Sequence, residues 1–192
     1  REAAKVGAEL AAANQFLRSH AGAPGGARAL SAELQVADGY ELALAAALDG
    51  RLGAALVDDL DAGASLLDRA GRDGARALVL GAEGGPEGGR AAGDPPVEGA
   101  VALAGLVQGP QAALDLLRDV WVVEDLAGLP AGFAGTAVTR TGRAWSPATR
   151  ELRQVPSGGA ERVLAERNRR DRLIAESERA VQAEQEALAA AE

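Results

Sequence analysis

The sequence predicts an α/β domain (α+β in detail) of two similar halves, carried between N- and C-terminal helices that form an antiparallel coiled coil. Three observations predict it. Residues 38–59, DGYELALAAALDGRLGAALVDD, read as a helix, a glycine turn and an apolar strand that ends in paired acids. A shorter version recurs at residues 116–126, LLRDVWVVEDL, so the chain holds a duplication. Both ends of the chain carry apolar residues at heptad spacing, the pattern of helices that pack along one narrow stripe.

Composition sets the bounds. A chain of 192 residues can bury a sizeable core, and with aromatics at 3% that core must be built from Leu, Val and Ala. There is no cysteine, which excludes disulfides and thiolate metal sites, and one histidine leaves little imidazole chemistry. A formal charge of −8 argues against uniform attraction to nucleic acid or anionic lipid, so any such contact needs a local patch. No apolar run approaches the roughly 18 to 20 residues of a membrane span, and no secretory signal pattern opens the chain, so a cytoplasmic place and no membrane partner are expected.

Residues 1–19 space Ala3, Val6, Leu10, Ala13 and Leu17 by alternating threes and fours, which predicts a coiled-coil helix. No capping residue precedes it, and a longer arm is expected. Pro24, Gly25 and Gly26 break the pattern. The first half, 28–81, opens with Leu30, Leu34 and Val36, with Ser31 as a candidate helix cap. Tyr40 to Leu48 reads as a buried helix, Ala54 to Val57 as a strand, Ala62 to Ala70 as a second helix and Ala75 to Leu80 as a second strand. Residues 82–99 form a Gly/Pro-rich connection. In the second half, 100–157, Pro110 starts a helix over 111–118, and Trp121 to Val123 is a strand. The helix that should follow is replaced by something shorter, because Pro and Gly are frequent in AGLPAGFAG. Thr136 to Arg140 is a β-branched strand, and Ala144 to Ser146 a last one. Residues 160–192 lack Pro and Gly and predict one helix of about 50 Å with Ile174, Val181 and Leu188 as its seam.

The acids after the strands are the candidate chemistry. Asp58, Asp59 and Asp61 sit where an α/β site can hold Mg²⁺, yet Asp59 or Asp61 also suits the cap of the next helix, which is the favoured reading. The Gly-rich connection imitates a phosphate loop in places but has no GK[ST], so no Walker site and no cofactor are expected in this stretch.

The segment GYELALAAALDGRLGAALVDD resembles the opening of the hinge domain of structural maintenance of chromosomes (SMC) proteins of bacteria. LLRDVWVVEDLAGL is similar to the opening of that domain's second half, and GTAVTRTGRAW to its next strand and turn. The resemblance spans about Asp38 to Trp145 and the coiled-coil flanks. Many such hinges carry two Gly-Gly pairs at the dimer contact, whereas SPATRELRQVPSGG offers only Gly158 and Gly159, which points to a divergent branch.

The resemblance implies a homodimer closed into a ring through two sheet-edge contacts, in a nucleoid-associated chromosome-condensing and segregating ATPase with its heads and loader partners outside this chain. Unpaired backbone on ARALVL and TAVTR suits such contacts, which nominates Leu78, Val79, Leu80, Val138, Thr139, Arg140, Gly142, Gly158 and Gly159. It also implies DNA contact near the junction with the coil. Residues 140–172 hold nine arginines against four acids, and Arg162, Arg167, Arg169, Arg170 and Arg172 are the candidate phosphate ligands. The competing role of those arginines is pairing with acids on the facing helix. Two other function classes stand beside the hinge: a hinge-like insert of a coiled-coil DNA-repair or plasmid-defence protein, and a small α/β ligand-binding domain using Asp58, Asp59, Glu124 and Asp125.

Overall fold

The computed structural model describes residues 2–20, 22–23, 26–81, 93–156, 158–159 and 161–191. The chain runs through α1 (Glu2–His20), α2 (Leu30–Glu33), β1 (Gln35–Val36), α3 (Glu41–Leu48), β2 (Ala55–Val57), α4 (Leu60–Ala70) and β3 (Ala77–Val79). The second passage holds β4 (Val101–Ala102), β5 (Val107–Gln108), α5 (Gln111–Leu116), β6 (Val120–Val122), β7 (Thr136–Val138), β8 (Arg143–Ser146) and β9 (Glu151–Gln154). Then comes α6 (Glu161–Ala191).

The duplication is visible in the pairing. β2 lies parallel to β3, and β6 lies parallel to β7. The two halves meet through β1 and β5, which pair antiparallel with Gln35 opposite Gln108. Equivalent strands paired head to tail are what a local two-fold relation between halves requires. β4 lies antiparallel to β6, as Ala29 bridges Ala55 antiparallel in the first half.

Local chemistry explains the elements. Asp59 caps α4, its Oδ1 accepting from the Ala62 amide at 2.7 Å, and Gly71 at φ 52° ends the helix. That leaves one unpaired amide fewer at the helix start and suits the dipole. α3 is Ala- and Leu-rich, and Ala43, Leu44, Ala46 and Leu48 are almost fully buried. The core is Leu, Val and Ala, as the shortage of aromatics demands. Leu30, Leu34, Leu44, Leu48, Leu103 and Leu117 pack in one cluster fed by both halves, and Leu164 of α6 joins it.

The rods are antiparallel. Arg162 lies over the Phe16 ring at 5.1 Å and Arg169 reaches Glu9 at 3.0 Å, so α6 advances as α1 recedes. Ala13 is buried and Val6, Leu10 and Leu17 half-buried, which follows the expected stripe on α1. α6 departs from expectation. Opposite α1 it is Leu173, 8% exposed, that is buried and not the predicted Ile174, 38% exposed, while Val181 lies beyond the described residues of α1 in the register set by Arg162 with Phe16 and Arg169 with Glu9. An Arg- and Ala-rich helix gives the heptad few apolar markers, and the phase is then set by what α1 presents. The side chain of Leu188 and residues 82–92 of the connection lie outside the description.

Three further expectations change. Ser31 is not a cap: it is buried inside α2, and Ala29 occupies the cap position without a side-chain bond. TAVTR is not an edge, because β7 is flanked by β6 and β8 in a five-stranded sheet ordered β4, β6, β7, β8, β9. The strand that makes it interior is β9, which pairs with β8 over four residues and which the sequence reading missed.

Candidate functional site

Backbone that is free to pair lies at the sheet margins, and the two halves supply different margins. In the first half β3 pairs, among the described residues, only with β2, which leaves its outer edge without a strand among them. In the second half the outermost strand beyond β7 is β9. An open strand edge presents unmatched N–H and C=O groups to a partner strand.

Each edge carries apolar side chains. Beside β3 lies a groove of about 420 Å³ lined by Leu60, Leu67, Leu78, Val79 and Leu116. Leu60 is 75% and Leu67 45% exposed, on the face of α4 that also carries Gly63 and Ala64 along the groove. On β9, Leu152 is 66% exposed, standing opposite Trp145 in the register. Leu60, Leu67 and Leu116 form a contiguous apolar patch along the groove, whereas Leu152 stands alone on its strand. The sequence reading missed them, although Leu60 and Leu67 stand seven apart, and Leu152 is the one apolar residue of ELRQ.

The nominated contact residues separate into groups. Leu78 and Val79 lie on the open edge, and half-exposed Leu80 follows, its amide donating to the Val57 carbonyl at 2.8 Å. Val138 is wholly buried in a central strand, and no partner strand can reach its backbone. Thr139 is buried, accepts from the Arg143 amide at 3.1 Å and shares a hydrogen bond with Thr141 at 2.9 Å. Arg140 lies over the Tyr40 ring at 4.2 Å and donates to its hydroxyl. Gly142 closes the turn into β8 at φ 85°, and a Cβ there would stand 2.7 Å from a Val155 methyl. Its role is the turn. Gly158 and Gly159 both donate their amides to the Glu161 carboxylate at the start of α6, so they build the base of the arm.

The five arginines are largely occupied within the chain. Arg169 pairs with Glu9 at 3.0 Å across the rods, Arg172 with Asp38 at 2.7 Å and Arg170 with Asp171 at 2.6 Å. Arg162 stacks on Phe16, and the Nε of Arg167 is buried. Exposed pairs of this kind contribute about 0 to 1 kcal/mol each and exchange readily for another anion.

The strand-end acids have local partners: Asp59 caps α4, and Asp125 accepts from the Ala127 amide at 3.1 Å. Among the described residues no three acids or histidines gather as a metal site. No helix among them is long and apolar enough to cross a membrane.

A two-half α/β module set at the bend between antiparallel rods is the architecture of a hinge. The model of the SMC proteins flexible hinge domain matches residues 23–128, more than half of the chain, and the chain belongs to that family. Among solved structures it resembles the asymmetric dimer of the Geobacillus stearothermophilus SMC hinge domain, with 26% identity, 84% of this chain and 74% of that one covered, and a TM-score of 0.58. The Pyrococcus furiosus Smc hinge domain with an extended coiled coil shares the fold at 19% identity, covering 99% of this chain and 80% of that one, with a TM-score of 0.52. The folded elbow of cohesin shares it at 15% identity over 84% of this chain and 25% of that one, with a TM-score of 0.53. Among curated proteins there is no match.

Proposed function

We propose that the chain is the homodimerisation hinge of a chromosome-organising, nucleoid-associated SMC ATPase whose nucleotide heads lie elsewhere in the protein. The observation that carries this reading is the pair of unlike open edges, β3 beside an apolar groove and β9 bearing an exposed leucine. If β3 of one copy receives β9 of the next, a two-fold axis repeats the contact and the assembly closes at two chains. Backbone pairing supplies the affinity, and Leu152 in the groove supplies the register. The similarity to a Geobacillus stearothermophilus hinge domain that forms a dimer, an asymmetric one, supports dimerisation. Light scattering at micromolar concentration is expected to give the mass of two chains, and Leu152→Asp to weaken association about 30-fold or more. A wild-type monomer contradicts the reading.

A second activity is DNA contact at the arm junction. The excess of arginine between residues 140 and 172 in an acidic chain supports it, since the exposed ion pairs there can yield to phosphate. In a low-salt gel shift the triple change of Arg169, Arg170 and Arg172 to Glu is expected to abolish retardation. Unchanged retardation removes this activity.

A further inference from the structure

The base of α6 is buried through Val163 and Leu164, and such apolar packing is non-directional. Such packing confines the helix to a range of crossing angles. Directional polar contacts can select within that range, and these converge on one place. Among the described residues, every side-chain hydrogen bond between α6 and the folded middle, the helix's own initial turn aside, ends on residues 36–41. Asn168 donates both amide hydrogens of its side chain, to the Val36 carbonyl at 2.9 Å and to Glu41 Oε1 at 2.8 Å. Arg172, four residues on and so on the same face, reaches Asp38 Oδ2 at 2.7 Å.

The receiving turn is held rigid from its other sides. Gly39 takes φ 83°, and its amide donates to the second oxygen of Glu41 at 2.9 Å. The Tyr40 amide donates to the Ala37 carbonyl at 3.1 Å, and the Tyr40 carbonyl accepts from Leu44 in α3 at 2.9 Å. From the second half, Arg140 covers the Tyr40 ring. Four residues therefore collect contacts from the arm, from α3 and from the end of β7.

We propose that the Asp38–Glu41 turn is a latch that sets the angle at which the arm leaves the domain, with Asn168 as its positioning residue. Glu41 fixes the turn with one oxygen and the arm with the other, so the arm cannot swing without breaking a bond inside the turn's own frame. Arg172 guards the outer side of the same seat. Arg169 is the contrasting residue: it bonds Glu9 on α1 and so joins rod to rod, leaving the rods' angle to the domain untouched.

The test uses the full chain, which has no cysteine, so two introduced cysteines are the only labelling sites. Nitroxides at Asp68→Cys on α4 and Glu178→Cys on α6, both exposed positions, span domain and arm. Dilution with unlabelled protein restricts pulsed electron spin resonance to distances within one chain, so the reading does not depend on dimerisation. With Asn168→Ala two of the three bonds from the arm to residues 36–41 are gone, and the distance distribution is expected to widen about twofold. Asn168→Asp, which sets a carboxylate against Glu41 and the Val36 carbonyl, is expected to shift the mean as well. Arg169→Ala is expected to leave the distribution as in the parent. Parent-like distributions for both Asn168 variants overturn the latch, and so does equal widening by Arg169→Ala.

Discussion

The two halves begin alike and end differently. Each has a parallel strand pair, β2 with β3 and β6 with β7, and each contributes one strand to the β1–β5 pair that joins them. In the first half the crossover is α4, an eleven-residue helix, and among the described residues the second strand is left as an open edge. In the second half irregular turns replace the helix, and the hairpin of β8 and β9 covers the second strand. Divergence after duplication has thus moved the open edge two strands outward in one half only. Identical halves would expose identical edges, whereas these expose a groove in one and a projecting leucine in the other, the two unlike sides that the proposed two-fold dimer brings together twice.

Glycines give the strongest way to break this comparison. Gly142 starts the hairpin that distinguishes the second half, at positive φ and with a Val155 methyl 2.7 Å from a Cβ placed there. Gly142→Ala is expected to cost about 2 to 4 kcal/mol by thermal or urea unfolding, because strain and overpacking act together. Gly63 in α4 has the opposite prospect. A Cβ there meets Val57, Ala77 and Val79 at 3.6 to 3.9 Å, ordinary contact distances. Gly63→Ala is expected to stabilise by about 0.5 to 1 kcal/mol through helix propensity alone. Equal effects at the two sites would mean that the halves have not diverged in packing as described.

The smallest expected effect is a pH dependence confined to the second half. Hydrogen bonds from Gln111 and then Arg118 hold the Asp115 carboxyl below its usual range. A carboxylate with a depressed folded pKa stabilises the fold above its unfolded pKa, and loses that contribution as pH falls through the folded value. Gln111→Ala is therefore expected to flatten the fall of melting temperature below about pH 4. A variant with the parent's slope would show that Asp115 carries no linkage.

Much of the fold was legible because periodicity and capping agreed. The run from Tyr40 to Leu80 predicts helix, strand, helix and strand, and all four are present within a few residues, α4 beginning at its Asp59 cap. The family could be read from the same segments. The sheet margins could not be read in the same way. Whether TAVTR is central or marginal depends on a later strand, and that strand, ELRQ, is short, polar and without β-branched residues, so propensity does not announce it. Leu152 looked like an isolated apolar residue for the same reason. The arginines were visible as a charge excess, but their partners Glu9 and Asp38 are more than a hundred residues away in the chain, and only the folded arrangement brings them together.

Mixing two crippled chains tests the proposed groove-to-β9 contact most directly. Leu152→Asp spoils the β9 side and Leu67→Asp the groove side, so each variant alone loses both contacts of a two-fold dimer and is expected to run as a monomer in native mass spectrometry. Mixed, the intact groove of the first meets the intact β9 of the second, one contact of the two is restored, and a one-to-one heterodimer is expected. Two variants that stay monomeric when mixed, beside a wild type that dimerises, would show that like edges meet like and would contradict the account.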